Sequence, residues 1–283
     1  MKDLPKRTLT AVVFGAMMLG GLLWNRISFS ILLILIQTGC IYEYLALIRK
    51  FQSYSGNTRK IGFWVTYVLS GSILLALIIF QSDFMSVSYG ILAIPLCLLL
   101  LAAELLYNSE TPFINGLLNA GAVIYISLPL IFFYSLADSS LFEDPKEWFP
   151  GNNSIALGIV LIIWTSDTFA YFTGSLFGRH KILPHISPKK SWEGFSGGLV
   201  FAMIAAWLLS KYFIHLDTRN WLIVALIVVI FGTIGDFVES MIKRQAGVKD
   251  SGNLLPGHGG FLDRFDALLF SVPFVTIYLL LSS

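Results

Sequence analysis

Charge is what this chain has least of. Only 13% of its 283 residues are Asp, Glu, Lys or Arg, where an ordinary soluble domain carries roughly a quarter. With 56% hydrophobic residues and a mean hydropathy of +0.76, a water-soluble fold has too much apolar surface to hide. A formal net charge of +2 gives no reason to expect nucleic acid as a partner. Cysteine is also scarce. Cys40 and Cys97 both lie inside apolar runs, which excludes a disulfide framework and a cysteine metal site. No internal repeat, heptad pattern or low-complexity tract is present, and no polar stretch is long enough to form a second core. The basic N-terminus, Met1 to Arg7, precedes an apolar run. No small-x-small cleavage site occurs before Trp24-Asn25-Arg26, so the run is expected to be a retained first span.

What is present is a succession of apolar runs of about 20 residues, the length that crosses a bilayer. They fall at 8–24, 27–48, 61–80, 87–107, 116–134, 154–174, 197–213, 221–239 and 267–281. The expected fold is therefore all-α, a polytopic integral membrane protein of about nine transmembrane helices in a single membrane domain over 1–283. Within it, 8–150 reads as scaffold and lipid-facing helices. The segment 154–283 reads as the part that carries chemistry, with loops at 175–194 and 240–266.

Positively charged loops are retained in the cytoplasm. With nine spans and the N-terminus inside, fifteen of the 19 basic residues fall inside, and only Arg26, Lys146, Lys211 and Arg219 fall outside. The C-terminus is then expected outside. The one sizeable outside loop, 137–153, is acidic and reads as a solvated cap.

Acids within spans are costly and by default mark a polar cavity or a partner. Here they are Glu43, Glu104, Asp167, Asp236 and Glu239. For Glu43 and Glu104, close to the interface, snorkelling or helix pairing is the simpler role. Asp236 stands apart because Glu239, Ser240 and Lys243 follow it at helical spacing, which sets two acids, a hydroxyl and an ammonium along one face. Asp236, with Asp263 or Asp266 at i and i+3 of the next helix, can hold Mg²⁺, a hard cation that takes a few carboxylates plus water and phosphate oxygens. Gly257, Gly259 and Gly260 let backbone N–H groups approach an anion. Lys243, Arg244, Lys249 and Arg264 supply charge for phosphoryl oxygens. Each part alone is weak, but together they are the parts of a metal-assisted phosphoryl or nucleotidyl transfer site.

The run Ser240, Ile242-Lys243-Arg244, Lys249-Asp250, Gly252, Leu255-Pro256, His258-Gly259-Gly260, Asp263-Arg264 and Asp266 resembles the signature of the phosphatidate cytidylyltransferase (CDP-diacylglycerol synthase) family. Ser187-Pro188-Lys189-Lys190-Ser191-Trp192-Glu193-Gly194, and Asp167 to Phe172 with Gly178-Arg179, resemble its upstream motifs. From about Asp167 onward the likeness is strong, and before that it rests on hydropathy. The resemblance implies transfer of the cytidylyl group of CTP to phosphatidic acid, giving CDP-diacylglycerol and pyrophosphate in phospholipid biosynthesis. It implies Mg²⁺, with room for a second cation, and is compatible with a homodimer.

Under that resemblance Asp236 and Asp263 are the first choice for metal ligands, with Asp266 or Asp167 contributing directly or through water. Lys243, Arg244, Lys249 and Arg264 neutralise the triphosphate, and Lys189 with Lys190 hold the lipid phosphate or the nucleotide. Ser240, Gly259 and Gly260 belong to the substrate-binding set. His258 is expected to position a phosphate more than to act as a base, since a phosphomonoester is already largely ionised near neutral pH. The site is expected at the cytoplasmic face of a bacterial inner membrane. Two rival readings are an ion or solute transporter using the intramembrane acids, and a related CTP-dependent lipid kinase.

Overall fold

The structure, a computed structural model, describes residues 4–51, 59–80, 91–104, 111–137, 154–213, 215–252, 254 and 259–282. The acidic loop beyond Ala137, Gly257 and His258 lie outside the described residues.

Nine helical rods occur among the described residues. They are α1 (Leu4–Leu23), α2 (Arg26–Ile48), α3 (Arg59–Phe80), α4 (Ala93–Ala103), α5 (Pro112–Ala137), α6 (Ser154–Phe177), α7 (Trp192–Tyr212), α8 (Thr218–Gln245) and α9 (Leu262–Ser282). Within α5, Val123–Ser127 is a π-helical stretch. No strand is named among the described residues, and the one isolated bridge there joins Lys181 and Ser191. Six helices (α2 and α5 to α9) are long and apolar enough to cross a membrane, while the apolar parts of α1, α3 and α4 are shorter. Large hydrophobic side chains on α7, among them Val200, Ile204, Trp207 and Leu208, are exposed, as lipid-facing residues are. The protein is a polytopic α-helical integral membrane protein.

The chain divides into two compact units, Met1–Ser135 with Ile242–Phe265, and Leu136–Met241 with Asp266–Ser283. In the first, α1 and α2 are two separate helices. Asn25 caps α2, its Oδ1 accepting from Ser28 N at 2.8 Å while Ser28 Oγ accepts from Asn25 N at 3.0 Å, a reciprocal cap that satisfies two donors a helix start leaves open. The apolar residues Phe29, Leu33, Ile36, Cys40, Ile41 and Leu45 of α2 are buried. Several polar groups inside this unit find partners. Gln37 Nε2 and Ser127 Oγ both donate to Ser70 O, at 3.1 and 2.8 Å, Tyr44 OH donates to Leu118 O at 3.0 Å, and Asn119 Nδ2 donates to Glu104 Oε1 at 2.8 Å. In an apolar surround an unmet polar group costs free energy, so these bonds also specify which faces meet.

In the second unit α6 and α7 approach closely through small residues, as membrane helices do. A Cβ added at Gly198 would stand 2.9 Å from Ser166 O, and one at Gly194 2.9 Å from Ala170 O. Phe169 stacks on Phe201 with centroids 3.6 Å apart. Trp221, fully buried, lies over Gly158. Along α8, Gly232 faces Ala267 and Gly235 faces Asp266 O and Phe270.

α8 runs past the expected end of its span to Gln245, and α9 begins before its expected start, at Leu262. Lys243 and Asp263 therefore sit on helices, as their spacing from Asp236 and Asp266 implies, Arg244 joins them, and the connection between the helices is shorter than 240–266. The reason is local. Lys and Arg are good helix formers and favour a C-terminal turn. The stop comes at Gly247, φ +70°, where Gly247 N donates to Arg244 O and Val248 N donates to Lys243 O, both at 3.0 Å, the two bonds of a Schellman cap.

Candidate active site

The second unit contains a cleft of about 270 Å³. Ser166, Asp167, Ala170, Tyr171 and Gly174 of α6 line it, with Lys189, Lys190 and Ser191 from the following loop, Gly194 and Phe195 of α7, and Val229, Thr233 and Asp236 of α8. The glycines of α6 and α7 keep the crossing tight. The loop that carries the lysines is held by its own backbone, since Ile182 N donates to Lys190 O at 3.2 Å and Trp192 N donates to His180 O at 2.9 Å. Its start is tied to α7 through Glu193, whose carboxylate accepts from Arg179 N and His180 N at 3.2 Å and contacts His180 Nδ1 at 2.6 Å. Ser191 caps α7, accepting from Gly194 N at 3.2 Å. Two lysines are thereby fixed at one end of a cleft whose other walls are largely apolar.

Lys190 Nζ forms an ion pair with the Asp236 carboxylate and lies 5.0 Å from the centroid of the Phe237 ring. Lys189 and Asp167 are exposed along the cleft. Behind Asp236, the buried Asp266 is in hydrogen-bonding contact with the Asp236 carboxyl and near enough to Glu239 to feel its charge. Its Oδ1 also accepts from Ala267 N at 2.8 Å. Two carboxyl groups in contact, with a third acid close by, need offsetting positive charge, which the Lys190 ammonium, a shared proton or a metal cation can supply. Hard oxygen donors beside a cleft suit Mg²⁺. Among the described residues no group of three or more His, Cys, Asp or Glu is arranged to hold a metal ion. Asp236 and Asp266 thus suffice only for an ion that takes its remaining ligands from water and phosphate, which is the habit of Mg²⁺.

The first unit holds the other half of the predicted set. Lys243 Nζ donates to Asp263 Oδ1 at 2.5 Å, with both side chains only 12% exposed. Asp263 Oδ2 accepts from Ser251 N at 3.0 Å, Ser251 Oγ at 3.1 Å and Gly260 N at 2.9 Å. Gly259 has φ +82°, and a Cβ there would lie 2.8 Å from Asp263 Oδ2. Arg244, Lys249 and Arg264 are exposed, and Arg244 donates to Val248 O at 3.2 Å. Ser240 is half-buried, one turn beyond Asp236 in the second unit.

The structure therefore brings Asp167, Lys189, Lys190 and Asp236 to one cleft, with Asp266 behind it, and sets Lys243, Asp263, Gly259 and Gly260 around Ser251. Ser251 carried no expected role beforehand. Neither did Phe195 or Thr233, whose apolar or hydroxyl character gives no sequence signal, while Tyr171 stood in the Asp167–Phe172 motif without a role of its own. Glu43, read as an interfacial acid, is 2% exposed and belongs with Ser251.

A family model described as the cytidylyltransferase family matches residues 5–282. A phosphatidate cytidylyltransferase of Staphylococcus haemolyticus is 37% identical over 189 residues, 66% of this chain and 68% of the relative. One of Staphylococcus aureus is 38% identical over 191 residues, 67% and 68% of the two chains, and one of Staphylococcus epidermidis is 36% identical over 189 residues, 66% and 68%. The match runs through the N-terminal helices as well as the charged motifs, and the chain belongs to the cytidylyltransferase family as an integral membrane nucleotidyltransferase.

Proposed function

We propose that the protein transfers the cytidylyl group of CTP to phosphatidic acid, releasing pyrophosphate and forming CDP-diacylglycerol, with Mg²⁺ required. The observation that carries this reading is the α6–α8 cleft, which sets Lys189, Lys190, Asp167 and Asp236 against apolar walls including Tyr171, Ile182, Phe195 and Val229. A phosphate on an apolar tail matches that polarity. The names of the relatives support the choice of CTP and phosphatidate.

In this reading a phosphate oxygen of phosphatidate attacks the α-phosphorus of CTP. A P–O bond forms there as the bond to the β-phosphate bridging oxygen breaks, and pyrophosphate leaves with the electron pair. The nucleophile is already ionised, so the chain's work is positioning and charge stabilisation. Lys189 and Lys190 donate to phosphoryl oxygens, and Lys190 exchanges its contact with Asp236 for one with substrate. Asp236 and Asp266 would hold Mg²⁺, which when bound neutralises and aligns triphosphate oxygens. Lys249, Arg244 and Arg264, carried by the first unit, are exposed basic groups available to phosphate. Asp263 holds Lys243 and Ser251 in place.

In the nine-crossing topology of this proposal the C-terminal ends of α6 and α8 face the cytoplasm, where CTP is found, because Lys and Arg are in excess after both. The N-terminus then lies inside and the C-terminus outside, in the cytoplasmic membrane of a bacterium.

The test is pyrophosphate release by the purified protein in lipid nanodiscs. Release is expected only with CTP, phosphatidic acid and Mg²⁺ together, and is expected to be lost in Asp236→Asn. Equal release without lipid, or a phosphorylated lipid as the product, overturns the reading.

A further inference from the structure

We propose that Glu43, on α2, is a positioning residue for Ser251 and Leu262, and through Ser251 for the signature acid Asp263. The inference rests on the nucleotidyl-transfer reading for its kinetic consequence but on geometry for its existence. Glu43 is 2% exposed. Its Oε2 accepts from Ser251 Oγ at 2.7 Å and from Leu262 N at 3.0 Å. Leu262 N is the first amide of α9, one of the donors a helix leaves without an internal partner, and it sits at the positive end of the helix dipole. A carboxylate from α2, more than two hundred positions earlier in the chain, supplies the cap.

Ser251 has one hydroxyl proton and stands between two acids, Glu43 Oε2 at 2.7 Å and Asp263 Oδ2 at 3.1 Å. Asp263 also gathers Ser251 N and Gly260 N, so Ser251 is held by both acids, with Gly260 N on Asp263 and Leu262 N on Glu43. The glycines fit this arrangement. A Cβ at Gly252 would strike the Glu43 carboxylate, and one at Gly260 would strike both that carboxylate and Ser251 Oγ. At these two positions the missing side chain makes room for Glu43. The second oxygen, Glu43 Oε1, is buried with no hydrogen-bond partner among the described residues. An acid spanning α2 for packing alone would be replaced at no loss by an apolar side chain. One that caps a helix and orients the serine between itself and Asp263 would not.

The experiment uses the full chain in nanodiscs and compares wild type with Glu43→Gln and Glu43→Ala, with Glu104→Gln as a buried acid elsewhere in the same unit. Hydrogen exchange is followed in peptides containing Ser251, Gly260 and Leu262, alongside kcat and KM for pyrophosphate release. Glu43→Ala is expected to speed exchange in those peptides and to lower kcat by about 10–100-fold, the range for residues that orient ligating or catalytic groups. Glu43→Gln, with one acceptor oxygen kept, is expected to fall between, and Glu104→Gln to leave those peptides protected. If the Ala protein does not fold, the Gln protein decides. Unchanged exchange at Ser251, Gly260 and Leu262 overturns the proposal, and so does a lower melting temperature with normal kcat. A wild-type protein inactive on CTP and phosphatidate would overturn the functional reading instead, with the exchange comparison still judging the positioning role of Glu43.

Discussion

Replacing Asp263 by Asn changes almost nothing in shape and removes one negative charge, and the structure says where the loss falls. Four donors converge on this carboxylate, Lys243 Nζ on Oδ1 and Ser251 N, Ser251 Oγ and Gly260 N on Oδ2. The new amide oxygen can take the place of Oδ2 and keep three of them. The amide nitrogen must then face the Lys243 ammonium, donor against donor. Because the pair is only 12% exposed on each side, water does little to relieve that donor-against-donor clash. Breaking a buried pair by removing one partner costs about 3–5 kcal/mol. For a chain of this size that lowers the melting midpoint by roughly 6–10 °C, at about 2 °C per kcal/mol. The measurement is thermal unfolding in detergent of Asp263→Asn, Lys243→Met and the double variant. Lys243→Met leaves Asp263 its three other donors and is expected to cost less. The double variant, with no ammonium facing the new amide, is expected to be more stable than the sum of the singles by about 1 kcal/mol or more. An Asp263→Asn protein that melts with wild type, or a cycle that is simply additive, would refute the structural role assigned to this pair.

Lys190→Met is expected to cost less than about 1 kcal/mol of stability, because its pair with Asp236 is partly solvated and such pairs contribute little. It should nevertheless reduce pyrophosphate release at least about tenfold, since Lys190 faces the cleft. Equal losses of stability and activity would count against a substrate-binding role. Gly198→Ala places a methyl 2.9 Å from Ser166 O and 3.1 Å from Ala170 Cβ. The α6–α7 crossing must then open, at about 1–3 kcal/mol, read as a lower unfolding midpoint. An unchanged midpoint would mean the crossing is looser than described.

Hydropathy and motif spacing made the architecture and the candidate residues legible for separate reasons. A bilayer imposes length and apolarity on each helix, so spans such as 154–174 and 221–239 announce themselves without tertiary information, and α6 and α8 contain them whole. Cap chemistry was equally local. Gly247 after Lys243-Arg244 is a helix-stop signal, and read as one it would have moved the end of α8 to where the structure has it. The reciprocal Asn25–Ser28 cap likewise separates α1 from α2 within four residues of sequence.

Charge composition by itself determined that the chain lives in a membrane, and the density of Lys, Asp and Gly after Asp236 marked that segment as the candidate for phosphate chemistry, because both readings follow from residue type and near-neighbour spacing alone. Tertiary structure alone decided which groups each acid meets. Asp236 meets Lys190 and Asp266 beside a cleft, while Asp263, at a similar sequence distance from the same motifs, is taken up by Lys243, Ser251 and Gly260. Glu43 could not be told from Glu104 by sequence, since both are lone acids in apolar runs. One caps α9 from 219 residues away and the other meets Asn119. Hydrogen bonds act over about 3 Å, and only the folded chain determines which groups come within that reach.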